Sequence, residues 1–159
     1  MYKHYDKDGA AISLHDCKAE KATFEKGILT FYFPEDGFWI CSDHEENSTG
    51  EAVRTDASEV RFHLLYEDAE DDFHCYVFDK KSERKAVRKK WTLSELISAI
   101  NSGKYQLEFL YRYAGGYKEL VFYCEICQKK KPYRRECQLW LSVQDVTYCW
   151  NEIAECYRE

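Results

Sequence analysis

The sequence is poor in proline and glycine, and it lacks any long apolar run. Its 159 residues include two prolines and seven glycines, so no Pro/Gly-rich linker divides the chain and we expect a single domain over residues 1–159. No segment reaches the roughly 18 apolar residues of a membrane span. The first residues have no apolar signal core, and we therefore expect a cytoplasmic protein with no membrane partner.

Motifs that mark common enzyme classes are also missing. The chain contains no Gly-x-Gly-x-x-Gly, no Walker loop, no His-Glu-x-x-His and no Gly-x-Ser-x-Gly, and its few glycines offer little backbone for cradling phosphates. His15, Asp16 and Cys17 are catalytic residue types, but sequence neighbours on a strand do not face one another. We expect a non-catalytic protein without a cofactor, although the sequence leaves enzymatic activity open.

Aromatic and β-branched residues are abundant, and their spacing predicts strands. Aromatic residues make up 16% of the chain, which excludes intrinsic disorder. Short runs of them alternate with turn residues through the first forty or so positions, which predicts a meander. Residues 59–66 and 73–79 are predicted to form an antiparallel hairpin with 64 opposite 75, and 85–91 to return as a basic edge strand.

The clearest signal is that of a helix over residues 93–102. Thr92 and Glu95 fit a capping box, and Gly103 can end the helix. The apolar residues between them recur at i, i+3, i+4 and i+7, which gives the helix one apolar face. We expect this face to pack on the sheet.

Beyond this helix the pattern returns to strands. A hairpin of 105–113 and 117–127 is predicted, followed by a strand at 137–143. At 145–158 the apolar spacing fits a helix, whereas the residue types favour a strand, and we predict a helix. The fold class is therefore α+β, a mostly antiparallel sheet of about seven to nine strands in a meander and hairpins, covered by one central helix and a C-terminal helix.

Charge is distributed unevenly along the chain. Residues 1–79 contain 7 bases and 19 acids, whereas residues 80–159 contain 16 bases and 10 acids, in a chain of net charge −6. We expect the opposite charges to remain apart in the folded protein. If they do, the molecule presents one negative and one positive surface.

Two acidic stretches, 43–46 and 67–72, favour a protein-binding function. Charged loops of this kind can attract a basic protein partner, as an inhibitor or immunity protein attracts a cationic toxin. The alternative is that they only keep an aromatic-rich sheet soluble. The residues predicted to bind the partner are Asp43, Glu45, Glu46, Glu67, Asp68, Glu70, Asp71 and Asp72.

Two basic stretches, 80–90 and 129–135, suggest a nucleic-acid alternative. They lie near aromatic residues such as Trp91 and Tyr133, and single-stranded nucleic acid needs cations for its phosphates and rings for its bases. A negative net charge opposes long-range attraction to a polyanion, and a solvated turn and a protected edge strand explain the same lysines. An aromatic sheet face left exposed would equally suit a homodimer.

Cysteines and histidines provide the remaining alternative, a zinc site. Cys124 and Cys127 have the spacing of a zinc-binding pair, which Cys137 would extend, but on a regular strand the first two point to opposite faces. His63 and His74 become diagonal neighbours in the predicted hairpin and offer a second ligand pair. All five residues are equally consistent with ordinary sheet positions.

Overall fold

The computed structural model describes residues 1–154, which form one helix, a ten-stranded sheet and a three-stranded sheet. This agrees with the predicted class, but the 13 strands outnumber the prediction because the first part of the chain breaks into strands of two to six residues. The helix is α1 (Leu93–Asn101), and the strands are β1 (His4–Asp6), β2 (Ile12–Ser13), β3 (Cys17–Ala19), β4 (Lys21–Glu25), β5 (Ile28–Phe33), β6 (Trp39–Ile40), β7 (Val53–Arg54), β8 (Ser58–Leu64), β9 (Phe73–Ser82), β10 (Lys85–Trp91), β11 (Tyr105–Ala114), β12 (Glu119–Gln128) and β13 (Arg134–Trp150).

The helix α1 confirms its sequence signals. Thr92 Oγ1 accepts the N–H of Glu95 at 3.1 Å, and the Glu95 carboxylate accepts the N–H of Thr92 at 2.7 Å, which completes the capping box. Leu93, Leu96 and Ile100 are buried, and the helix contacts β4, β9 and β11. It is the only helix among residues 1–154, and its nine residues are too few to cross a membrane.

The longest strand, β13, organises the larger sheet. Its first half pairs with β12 on one side and β9 on the other, and its second half pairs with β8 and β1. The strand β10 pairs with β9 alone within the described sheet, which confirms the predicted basic edge strand. At roughly 3.3 Å per residue, 17 residues cover about 50 Å of chain. Groups beside the first residues of β13 are therefore separated from those beside its last residues by the length of this strand.

Residues 145–150 continue β13, so the predicted C-terminal helix is wrong there. Tyr148, Cys149 and Trp150 face β1 across one edge, and residues up to Cys149 face β8 across the other. Hydrogen bonding along both edges favours the extended backbone, and the strand propensity of these residue types prevails over the helical spacing of the apolar ones. Position 157, which the predicted helix included, lies outside the described residues.

The strands β8 and β9 do not pair with each other, so the predicted hairpin is also wrong. Both pair with β13, β8 along 143–149 and β9 along 137–141, and they follow one another beside the same strand. The chain between them forms a loop beside Ser142 of β13. The N–H of Ser142 donates to Asp72 O, and Ser142 O accepts the N–H of Leu65, each at 2.9 Å. The apolar face of each strand is thus matched by β13, which is distant in sequence.

The first and last strands in the order of the larger sheet, β3 and β4, are joined by Glu20. The strand β3 pairs with β11 and β4 pairs with β5, while Glu20 between them donates its N–H to Tyr32 O at 3.1 Å. The strands consequently enclose a core in which the ring of Phe109 lies 5.3 Å from that of Phe31 and 5.4 Å from that of Phe122, both in edge-to-face geometry. Such aromatic pairs add to the free energy gained by burial alone.

The predicted meander forms only in part, because some of its residues belong to the smaller sheet. The β4–β5 hairpin forms as expected, but β6 pairs with β2 and β7 instead of continuing beside β5. The turn before β6 packs tightly, since Gly37 donates its N–H to Thr55 O at 3.1 Å. A Cβ at position 37 would lie 1.8 Å from Thr55 Oγ1 and 2.4 Å from Asp56 O. Only glycine fits this approach.

Candidate functional site

The two basic stretches meet at one end of the molecule. Residues 80–90 form most of the β9–β10 hairpin, and residues 129–135 form the turn into β13. Because β9 pairs with β13 beside that turn, both stretches line one open depression of about 760 Å³. We call this region the basic end.

Several acids at the basic end are already neutralised. Asp79 Oδ2 lies 2.7 Å from Lys89 Nζ, and this hydrogen bond holds the pKa of the Asp79 carboxyl below its usual range. Glu108 and Glu125 both bind the guanidinium of Arg134. Most lysines of the two stretches have no carboxylate partner within residues 1–154, so the basic end keeps a positive surface.

The acidic stretch 43–46 lies at the other end of β13. His44 Nε2 is 3.0 Å from Asp6 Oδ2, which ties the stretch to β1 beside the last residues of β13. The buried amide of Asn47 donates to the carbonyls of Ile40, Cys41 and Glu51 and anchors the following turn. The carboxylates exposed there are those of Asp43, Glu45 and Glu46.

The second acidic stretch forms a projecting loop beside the middle of β13, which we call the acidic loop (residues 66–72). Asp72 is 1% exposed, and its Oδ2 accepts the N–H of Tyr66 at 2.6 Å and that of Asp68 at 3.3 Å. It therefore orders the loop from inside and does not reach the surface, unlike the other acids predicted to bind a partner. The exposed residues of the loop are Tyr66, Glu67, Asp68, Glu70 and Asp71.

The cysteines predicted to bind zinc lie on two faces of the sheet. Cys124 and Cys137 face each other on β12 and β13 inside the core, and the Sγ of Cys137 is 3.6 Å from that of Cys75. Burial raises the pKa of the Cys124 thiol well above its usual range, which opposes the thiolate that zinc requires. Cys127 is on the other face, so the structure does not bring the predicted set together.

Cys127 belongs instead to a cluster with Glu108 and Glu125, whose ligand atoms lie within 4.8 Å of one another. Arg134 already compensates part of the negative charge of this cluster. Arg134 lies 2.9 Å from Glu108 Oε2, and the Cys127 thiol donates to the same oxygen at 3.3 Å. Burial and the nearby Glu108 raise the pKa of Cys127 to about 11. A metal ion would have to displace the guanidinium.

His63 and His74 are not neighbours, because their predicted proximity depended on the hairpin that does not form. His63 faces Asp145 on β13, and its Nε2 lies 3.2 Å from Glu67 Oε1. His74 faces Trp140, about 16 Å further along the same strand at ~3.3 Å per residue. They cannot share a metal ion in this arrangement.

The sequence His15-Asp16-Cys17 does not assemble a nucleophile and its base. His15 Nε2 lies 3.4 Å from Asp16 Oδ2, but Cys17 is fully buried on the core side of β3. Burial raises the pKa of this thiol even though Arg54 donates to its Sγ at 3.3 Å. A buried, protonated thiol is a poor nucleophile.

An exposed aromatic surface extends across the outer face of β9, β13, β12 and β11. The strand register places side chains in two adjacent rows, one of Tyr76, Gln138, Tyr123 and Tyr111 and the other of His74, Trp140, Val121 and Tyr113. Trp140, Tyr123, Tyr113 and Tyr111 are exposed, with fractions from 36% for Trp140 to 58% for Tyr111, and Tyr76 is half-buried. We call Tyr76, Tyr111, Tyr113, Tyr123 and Trp140 the aromatic band. Alternating aromatic residues within each strand signal such a face, but only the register shows that the strands align them.

We expect the protein to lose stability between about pH 9 and 11, partly through Cys149. Burial raises the pKa of this thiol from 9.0 to about 11. The unfolded chain therefore loses the proton first, so stability is full below pH 9 and falls as the pH rises towards 11, by about 2 kcal/mol for this group. Urea denaturation at pH 8 and pH 11 measures the loss. In the Cys149→Ala variant the loss should be smaller by that amount, and an equal loss would contradict the assignment.

Comparison with known proteins finds no relative. No family model matches the chain, and no match was found among curated proteins or solved structures.

Proposed function

We propose that the protein is a cytoplasmic, non-catalytic binding module that docks a basic protein through its acidic loop. One observation carries the proposal: the acidic loop and the stretch 43–46 lie beside the middle and far end of β13, away from the basic end. Opposite charges that do not neutralise one another leave a negative surface able to attract a cationic partner. The free thiols at the seven described cysteines suit the reducing cytoplasm.

The acidic loop has the features of a prepared docking surface. Asp72 fixes its backbone from inside, and Asp68 Oδ1 accepts the N–H of Glu70 at 2.7 Å, so little conformational entropy remains to be lost on binding. The carboxylates of Asp68, Glu70 and Asp71 have no cation partner among residues 1–154. Tyr66 is 71% exposed beside them, and tyrosine is enriched among residues that dominate binding energy.

The carboxylates and Tyr66 of the acidic loop act on different steps of binding. Exposed carboxylates mainly raise the association rate, because they attract the partner over distances comparable to the Debye length. Tyr66 supplies apolar area and a hydroxyl that a partner can bury, which slows dissociation. An inhibitor or immunity protein of a cationic toxin would use both effects.

The test compares two charge-reversed variants with the same net charge. Glu70→Lys with Asp71→Lys changes the acidic loop, whereas Glu35→Lys with Glu51→Lys changes exposed acids elsewhere. Each is immobilised and exposed to a lysate of the cells that produce the protein. We expect wild type and the control pair to retain one stoichiometric basic protein. The loop pair should bind that protein about ten-fold or more weakly.

The salt dependence and Tyr66 complete the test. Retention of the partner should weaken steeply as salt rises, since surface attraction is screened. Tyr66→Ala should shorten the lifetime of the complex more than it slows association. If both charge variants retain the partner equally well, or if wild type retains none, the acidic loop is not a docking surface.

A further inference from the structure

We propose that the aromatic band is a second binding surface, which takes single-stranded nucleic acid. Its occupant is identified by two features that occur together here, exposed rings aligned across a sheet and unpaired cations beside them. Bases of a single strand stack on such rings while lysine and arginine contact the phosphates. The band does not involve the acidic loop, so this inference is independent of the proposed function.

The sheet holds the rings in register. Tyr111 and Tyr123 face each other across β11 and β12, and Val121 separates Tyr113 from Trp140 in the adjacent row. Neighbouring strands are about 4.8 Å apart, and successive residues on one face are about 6.7 Å apart. Tyr113 and Tyr123 already make an edge-to-face contact at 5.5 Å. A rigid sheet therefore presents several ring surfaces within reach of consecutive unstacked bases.

Cations border the band on the side of β10. Lys90 faces Tyr76 across the β9–β10 pair, and the guanidinium carbon of Arg88 lies 4.8 Å from the centre of the Tyr76 ring. The basic end begins where the rows of rings stop. Its cations without a carboxylate partner among residues 1–154 are Lys80, Lys81, Arg84, Lys85, Lys129, Lys130 and Lys131.

Charge complementarity favours nucleic acid over a protein partner on this face. Asp79 pairs with Lys89 and Arg135, and Glu108 and Glu125 share Arg134, so three cations balance these three acids. The other acids lining the depression are Glu83 and Glu136. The seven cations of the basic end without a carboxylate partner outnumber these two acids, which favours a positive surface there although the whole chain has a net charge of −6. A polyanion with exposed apolar bases matches this surface, whereas a duplex hides its base faces.

Fluorescence anisotropy with labelled oligothymidylate and oligouridylate of about 15 nucleotides tests the inference. At about 50 mM salt we expect dissociation constants below roughly 100 µM for at least one of them. Raising the salt to about 200 mM should weaken binding roughly fifty-fold if four phosphates are contacted. Equal affinity for the two probes indicates that the sugar is not recognised. Equal and unequal affinities both support the site.

Variants assign the binding to the band. Tyr123→Ala with Trp140→Ala should weaken binding about ten-fold or more, because each base that stacks on a ring contributes substantially. Thermal unfolding shows whether this pair of substitutions impairs folding. If it does, Tyr111→Ala with Tyr113→Ala is a second pair in the same band. Tyr5→Ala removes a tyrosine on β1, outside the band and the acidic loop, whose exposed fraction of 51% is comparable, and it should leave the affinity unchanged.

Four results would overturn the inference. No binding of either oligonucleotide at low salt removes it. Binding that both band variants retain at full strength shows attraction to lysines alone. A third result is a wild-type dimer in sedimentation that becomes a monomer in Trp140→Asp, which shows that a second copy of the chain covers the band. The fourth is a protein partner that wild type binds and Trp140→Asp does not, which identifies a protein interface.

Discussion

Replacing Phe109 with alanine should lower the free energy of unfolding by about 3–5 kcal/mol. This side chain is 1% exposed on β11 and contacts the rings of Phe31, Phe33 and Phe122 at centroid distances of 5.3 to 6.1 Å. Removing it takes away buried apolar area and leaves a cavity that strands from both sides of the core cannot close, because their register is fixed by hydrogen bonds. Urea denaturation followed by circular dichroism gives the value.

The matched control is Phe78→Ala. Phe78 is half-buried on the outer face of β9 opposite Arg88, outside the core cluster. Its loss removes partly solvated area and creates no cavity, so we expect a cost below about 1.5 kcal/mol. Equal costs for the two variants would mean that the enclosed rings contribute no more than a surface ring does.

Gly37→Ala should destabilise the protein by about 2 kcal/mol or more, since overpacking a tight site forces backbone shifts. The added methyl would meet Thr55 Oγ1 at 1.8 Å and the Asp56 carbonyl at 2.4 Å. Thr55 is fully buried, and the backbone of this turn is held by the Gly37 N–H to Thr55 O bond. The approach can be relieved only by separating the turn from the segment that precedes β8.

Gly116→Ala is the control for this effect. A Cβ at Gly116 meets no atom within 4 Å, so its substitution should change the unfolding free energy by less than about 0.5 kcal/mol. Differential scanning calorimetry compares the melting temperatures. A Gly37→Ala variant as stable as the Gly116→Ala variant would show that the turn before β6 has room to move.

Local signals in the sequence were enough to predict elements whose partners are near in the chain. The helix α1 depends on a capping box four residues long, the β11–β12 hairpin on a short turn, and β10 on its adjacency to β9. In each case hydrogen bonds join residues close in sequence, so propensity and turn chemistry decide the outcome. The lysines of β10 also mark an edge, as expected.

The wrong predictions share one cause, the long strand β13. It provides β8 and β9 with a common neighbour, and it supplies the pairing that makes residues 145–150 extended. Nothing local in residues 59–79 indicates a partner more than sixty residues away. The candidate sites were affected in the same way, because His63 and His74 were paired through the absent hairpin, whereas the basic end arises only when β9 meets β13.

The position of β13 also affects how the protein reaches its native state. Four strands, β1, β8, β9 and β12, obtain backbone partners from a segment that leaves the ribosome after all of them. His4 pairs with Trp150, so one contact closes a loop of nearly the whole described chain. Such high contact order slows folding and keeps unpaired edges exposed during translation. Nascent chains that stop short of β13 are therefore expected to depend on chaperones.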